Sequence, residues 1–329
     1  MDGIKGMLRQ QLKSLVARAA LCSLLPFLVS SSVLAQGWER VKLPIDETVT
    51  GLSFISPDTG YIVTSGAKYA RTFDGCKTWK FYTIRKDSSF EDVCFLNKDT
   101  GMICGSYGTI YRTIDGCKNW DAIWLPDPND PVWLTSVLLL PGRIGLMVGL
   151  VPGNPPSSEA FRSEDGGRTW TKLPAMGLAY GELFYRSGDP ICFQSWGKLN
   201  YSMDKGKTWS SMKVPSVKPT RATSFFKNTG VLCGNSGAVA CTIDRGKTWK
   251  TVEQNSGINF TAALLVDEET GYIAGTGGSI FKTTDAGTTW QAEKLPVSVD
   301  FAGLYQVGDY VYACGADGVI LRTKIKSAK

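Results

Sequence analysis

The chain has 329 residues, 43% of them apolar and 20% charged, with a formal net charge of +6. That composition is globular rather than disordered or fibrous. Histidine is absent, which excludes Ser-His-Asp and Cys-His nucleophile systems in their usual form and removes the commonest metal ligand.

Residues 1–35 read as a secretory signal. Lys5, Arg9, Lys13 and Arg18 make a basic start, an apolar run follows from Ala19 to Leu34, and Val33-Leu34-Ala35 has the small-residue pattern of a cleavage site. Pro26 and three serines interrupt the run, and it is short for a membrane span. Cleavage places the start of the mature chain near Gln36 and removes four bases and one acid. The remainder is then close to +3, too weak a charge to point by itself to nucleic acid or anionic lipid. No other stretch is long and apolar enough to span a bilayer.

From Gly37 onward the chain is a repeat. Nine-residue boxes such as RTIDGCKNW (Arg112 to Trp120) recur six times, with aspartates at Asp74, Asp115, Asp165, Asp204, Asp244 and Asp285, spaced by 41, 50, 39, 40 and 41 residues. Each box closes on a tryptophan: Trp79, Trp120, Trp170, Trp209, Trp249 and Trp290. Self-similarity at about 40 residues signals a repeat architecture. In the second unit, "DVCFLN", "MICG", "TIYRT" and "NWDAIW" are short strand-like runs joined by tight Gly- and Asp-marked turns. No unit has helical periodicity. The pattern predicts an all-β chain, a seven-bladed β-propeller of four-stranded antiparallel blades occupying residues 36–329.

The seventh unit, after Trp290, has three strands and no box. "GWERVKLP", from Gly37 to Pro44, matches the fourth-strand segments "TWTKLP" and "TWQAEKLP". The N-terminal strand is therefore predicted to complete the last blade and close the ring, with Trp38 in the box-tryptophan position. The boxes themselves read as turns between third and fourth strands. Asp accepts hydrogen bonds from the turn, Gly supplies positive φ, and Trp packs back over the hairpin.

Cys104, Cys192, Cys233 and Cys314 share one second-strand position with Val63, Val148 and Ala274. The site asks for a small apolar side chain, so free buried thiols are expected. At the start of each first strand stand Val49, Phe90, Trp133, Tyr180, Arg221, Phe260 and Phe301. Exposed aromatics with Arg have the composition of a binding hot spot, and at matching positions they would ring the mouth of the central channel or plug it. Unit three is the irregular one: "LPDPNDPVW" and "VPGNPPSSE" lengthen two loops on the face away from the boxes, as a binding feature or as a tolerated insertion.

The box resembles the Asp-box, or BNR, repeat of sialidases, sortilin-type receptors and some glucanases. The fuller unit, "GMICGSYGTIYRTIDGCKNW" from Gly101 to Trp120, is more similar to the photosystem II stability and assembly factor family, and the resemblance runs from Gly37 to Thr323. It implies a seven-bladed exported propeller that binds a protein partner, a membrane or envelope complex subunit, with no catalysis, cofactor or metal. The implied location is the periplasm, or a thylakoid lumen in a photosynthetic organism. A basic patch linked to partner binding in that family corresponds here to Arg71, Arg112, Arg162, Lys282 and Arg322, with Tyr201 and Cys241 in units four and five. Read without the resemblance, these are solvated strand residues. The alternative function is carbohydrate binding or glycoside hydrolysis by two carboxylates facing a groove.

Overall fold

The computed structural model describes residues 37–84, 88–127, 132–153, 157–174, 183–186, 190–195, 198–215, 220–253 and 257–325. The expected leader, residues 1–35, lies outside them. Seven antiparallel sheets follow one another along the chain. Blade 1 comprises Val49–Phe54, Gly60–Thr64, Lys68–Thr72 and Lys80–Thr83, and the later blades repeat this order. The second strands are buried along their whole length (Gly60–Thr64, Gly101–Gly105, Gly271–Gly275), while the fourth strands are largely exposed. First strands of neighbouring blades pack side by side in blades 1 to 3 and 5 to 7, and that of blade 7 meets that of blade 1.

The closing strand is Glu39–Val41. It pairs antiparallel with the last strand, Ile320–Lys324, in the register Glu39↔Arg322, Arg40↔Leu321 and Val41↔Ile320. Trp38 is buried and stands edge-on to Tyr272 of blade 6 at 5.8 Å, and its indole N–H donates to Glu293 at 3.1 Å. One strand thus completes blade 7 and seals it against blade 6.

Blade 4 departs from the expected four strands. Among the described residues it has three, and its inner strand is reduced to one bridge, Phe184↔Cys192, with backbone bonds of 2.8 and 2.9 Å. The next hydrogen-bonded pair of an antiparallel ladder would set Arg186 against Pro190, and proline has no N–H to give.

Side chains of the first strands stitch neighbouring blades together. Ser53 Oγ accepts from the N–H of Phe95, Cys94 Sγ from that of Leu139 and Ser224 Oγ from that of Leu265, all from one repeat position. Asp92 adds a charged link, accepting from Ser136 Oγ and from the N–H of Val137, both at 2.9 Å. Burial pushes its carboxyl up from the usual range, against the pull of those donors. The seven equivalent second-strand residues, from Val63 to Cys314, are all buried, and none of the eight described cysteines is in a disulfide.

Candidate functional site

The six boxes share one geometry. In the second, Asp115 Oδ1 takes the Thr113 hydroxyl at 3.0 Å and the N–H groups of Lys118 and Asn119, both at 3.0 Å, while Oδ2 takes the Asn119 side chain at 2.7 Å. Thr113 Oγ1 in turn accepts from the N–H of Cys117 at 3.0 Å. The two residues after each aspartate both have positive φ: Gly116 and Cys117 in blade 2, Gly166 and Gly167 in blade 3, Lys205 and Gly206 in blade 4. Every box contains at least one glycine in this pair, the residue that adopts that conformation without steric cost. Cys76 and Cys117 hold it with φ of 68° and 64°, inside a turn fixed by its hydrogen bonds.

These bonds hold the carboxyls low. Asp74 falls to about 2 through the Thr78 hydroxyl and N–H, and Asp115 to about 2 through the N–H and side chain of Asn119. Asp204 and Asp244 reach the same value by the same kind of contact. At Asp165, also about 2, and at Asp285, burial works upward and the turn donors outweigh it. The tryptophans pack over the hairpin. In blades 3, 4 and 6, Trp170, Trp209 and Trp290 donate to Gly167, Gly206 and Gly287. Trp79, Trp120 and Trp249 pack the same way with their indole N–H unpaired. Carboxylates so committed, repeated around a ring, are turn architecture.

The arginines that the resemblance linked to a basic patch do something else. Arg71 donates to the carbonyl of Gly116, Arg112 to Gly166, Arg162 to Lys205 and Arg322 to Gly75, at 2.8, 2.6, 3.1 and 3.4 Å. Each acceptor is the residue after the box aspartate of the next blade. Arg112 and Arg162 are buried. They are clasps across blade seams rather than solvated strand residues. Tyr201 and Cys241 stand where a clasp is missing, and Lys282 lies instead over the ring of Tyr272.

The expected ring of exposed residues around the channel mouth does not form. Phe90, Phe260 and Phe301 are buried, as is Val49. A β-bulge at the start of the first strand accounts for this. The register skips one residue between Val49 and Gly51, Phe90 and Asp92, Leu134 and Ser136, Thr220 and Ala222, Phe260 and Ala262, and Phe301 and Gly303. The residue before the bulge wedges into the seam with the preceding blade, as Phe301 does against Ala262 and Ile280. It therefore offers no surface to a partner. Trp133 and Arg221 are exposed because each is one position out of that register; the residue before the bulge is the buried Leu134 in blade 3 and Thr220 in blade 5. Tyr180 lies outside the described residues.

Trp133 has neighbours that the sequence reading missed. Tyr107, Trp124 and Trp133 are 85%, 69% and 48% exposed. Tyr107 occupies the turn between the second and third strands of blade 2 with φ of 53°, which turns its ring out to solvent. The next residue, Gly108, donates to the carbonyl of Val132, beside Trp133, at 2.7 Å. Leu125, beside Trp124, packs in the same cluster as Val132. The three aromatics thus share one edge of the blade 2–3 seam, on the face away from the boxes. The Trp133 indole is fixed at 3.1 Å from Glu91 Oε1.

The channel itself holds a cavity of about 710 Å³ lined by Leu52, Phe54, Phe95, Leu264, Leu304 and Tyr305 among others. Arg186 reaches across it from blade 4, stacking over Phe226 at 4.5 Å and donating to the Leu265 carbonyl at 2.7 Å and to Gln306 at 3.2 Å. Among the described residues lining the cavity there is no carboxylate, and no cluster of candidate metal ligands occurs among the described residues of the chain.

Comparison with known proteins fits this architecture. No curated protein matches the sequence. Among solved structures, "YCF48 bound to D1 peptide" superposes with a TM-score of 0.72 at 22% identity, covering 88% of this chain and 95% of that one. "YCF48 from Cyanidioschyzon merolae" gives 0.73 at 19% identity, covering 88% and 99%. A virginiamycin B lyase from Staphylococcus aureus gives 0.71 at 10% identity, covering 88% and 99%, a likeness of fold alone. The family model described as "Photosynthesis system II assembly factor YCF48" matches residues 30–324, and the chain belongs to that family.

Proposed function

We propose that the protein is an exported, non-enzymatic assembly or stability factor that holds a peptide segment of a membrane or envelope complex subunit through the Tyr107–Trp124–Trp133 patch. One observation carries the binding reading: a structure of a protein from this family is described as bound to a D1 peptide. The patch suits such a role, because exposed aromatics clustered on stiff turns lose little entropy when covered and dominate interface energies. Glu91, which accepts from the Trp133 indole, favours a segment with a basic or N–H-rich edge. Export rests on the pattern of residues 1–35, and the periplasm or a lumen is the proposed location. Glycoside hydrolysis, the alternative, would need a carboxylate pair facing a groove, and the lining of the channel cavity lends it no support.

The test is affinity capture from native envelope membranes with the parent chain and with a Trp124→Ser, Trp133→Ser double variant. A membrane-protein subunit enriched by the parent and lost with the variant is the expected result. Equal recovery with both would place binding elsewhere.

A further inference from the structure

The small net charge of the ring conceals an uneven distribution on the box face. In each box turn the hydroxyl residue is buried and the aspartate is bound to the donors of its own turn, and the residue between them points outward. In blades 1, 2, 4 and 5 that residue is Phe73, Ile114, Met203 or Ile243, each more than half exposed. Blade 3 has Glu164 there, ion-paired with Arg162, and blade 6 has Thr284. The same turns expose Lys77, Lys118, Arg168, Lys207 and Lys247. Each of these bases stands beside the ionised aspartate of its own box, so the excess of bases lies in blades 4 and 5, where Lys205 and Arg245 add a second one. On blades 6 and 7 the same face carries Asp267, Glu268, Glu269, Asp285 and Asp309, with Glu268 paired to Lys227.

We propose that the arc of box turns on blades 1 to 5 docks the protein on an anionic membrane surface. The paired bases of blades 4 and 5 complement anionic headgroups, and the apolar side chains of the arc can enter the boundary with the acyl chains. Repetition selects the partner: the same turn recurs at the same register in each blade, so the four apolar tips lie at matching positions around the ring. A flat bilayer meets all of them together, whereas an extended peptide crosses one or two. Exposed apolar side chains interleaved with bases are otherwise an aggregation liability. Among the described residues no helix is long and apolar enough to cross a membrane, so the contact is with the surface. The inference does not rest on the aromatic patch, which lies on the other face and stays open to an extramembrane segment.

The full chain is mixed with vesicles of phosphatidylglycerol and phosphatidylcholine, or of phosphatidylcholine alone, and binding is read by co-sedimentation over a range of salt. Two variants are compared with the parent: Phe73→Ser, Ile114→Ser, Met203→Ser, Ile243→Ser together, and Lys118→Gln, Lys207→Gln, Lys247→Gln together. All three carry the same residues 1–35, so a contribution from that segment cancels. The expected result is parent binding to anionic vesicles that weakens with salt, at least tenfold weaker in each variant, with unchanged melting temperature and unchanged capture of the peptide-bearing partner. Parent binding no stronger to anionic than to neutral vesicles overturns the proposal, as does equal anionic binding by parent and variants. If a variant melts lower, Met203→Cys carrying a polarity-sensitive dye replaces it: a blue shift on anionic vesicles supports docking, and no shift refutes it.

Discussion

Arg112 Nε donates to the carbonyl of Gly166 at 2.6 Å across the seam between blades 2 and 3. The contact joins a third strand to a box turn 54 residues later, and it recurs from Arg71, Arg162 and Arg322. Desolvation lowers the guanidinium pKa, yet the group stays charged at any working pH. Replacing Arg112 with Gln removes a charge-assisted bond and is expected to cost about 1.5–3 kcal/mol. Urea unfolding of the variant measures it. An unchanged midpoint would mean that the clasp is incidental.

The box hydroxyl gives a second test. Thr113→Val keeps the shape and removes the acceptor for the buried N–H of Cys117, an expected loss of about 1–3 kcal/mol. Binding to a partner captured through the aromatic patch should survive at temperatures where the variant is folded.

Acid should loosen the ring. Five box carboxyls titrate near 2 in the folded protein, against about 3.9 for a free aspartate. The unfolded chain therefore takes up protons first as pH falls. The stability that the boxes contribute is fully present above about pH 4 and is lost as pH drops through about 2. Melting temperature should fall steeply over that window. The deficit of an Asp115→Asn variant relative to the parent should shrink over the same interval. A deficit that stays constant down to pH 2 would show that ionisation of Asp115 is irrelevant to the turn.

Two aromatics that start first strands should behave oppositely. Phe301→Ala empties a buried seam and is expected to cost about 3–5 kcal/mol of stability. Trp133→Ala should leave melting almost unchanged and weaken partner binding by roughly thirtyfold or more. Calorimetry and a binding titration on both variants separate the two roles.

The contrast between those residues shows where reading letters stops. Turn chemistry is local, so the roles of Asp115 and Thr113 follow from the box alone, and the 40-residue period together with the match of Gly37–Pro44 to later fourth strands carried the blade count and the closure. A bulge is different. One extra residue exchanges the inward and outward sets, and nothing in "PVWLTS" beside "SSFEDV" marks which letter is the extra one. The first-strand comparison therefore set Trp133 beside Phe90, although Leu134 is its true counterpart. Tyr107 was hidden for a related reason, since a tyrosine at φ of 53° is uncommon and "SYG" reads as a bare turn. The arginine clasps depend on which blade lies next door, and the sequence states that order but not the distance.

Trp38 offers the most direct test of closure. Trp38→Ala removes a buried indole and the donor to Glu293, with an expected loss of about 3–5 kcal/mol. Hydrogen exchange should show it first as faster opening of residues 320–324.

The pairing of Glu39–Val41 with Ile320–Lys324 also sets an order in time. The strand that seals the ring is the first of the ring to leave the ribosome, and its partner is nearly the last. The two lie 283 residues apart at the Glu39–Arg322 contact, a separation that slows folding. Until that meeting, any partly built ring is an open horseshoe with two unpaired sheet edges, each able to recruit a foreign strand. A chain truncated before residue 320 would stay in that state. Proteolysis and aggregation should therefore rise abruptly, rather than gradually, as residues are removed from the C-terminal end.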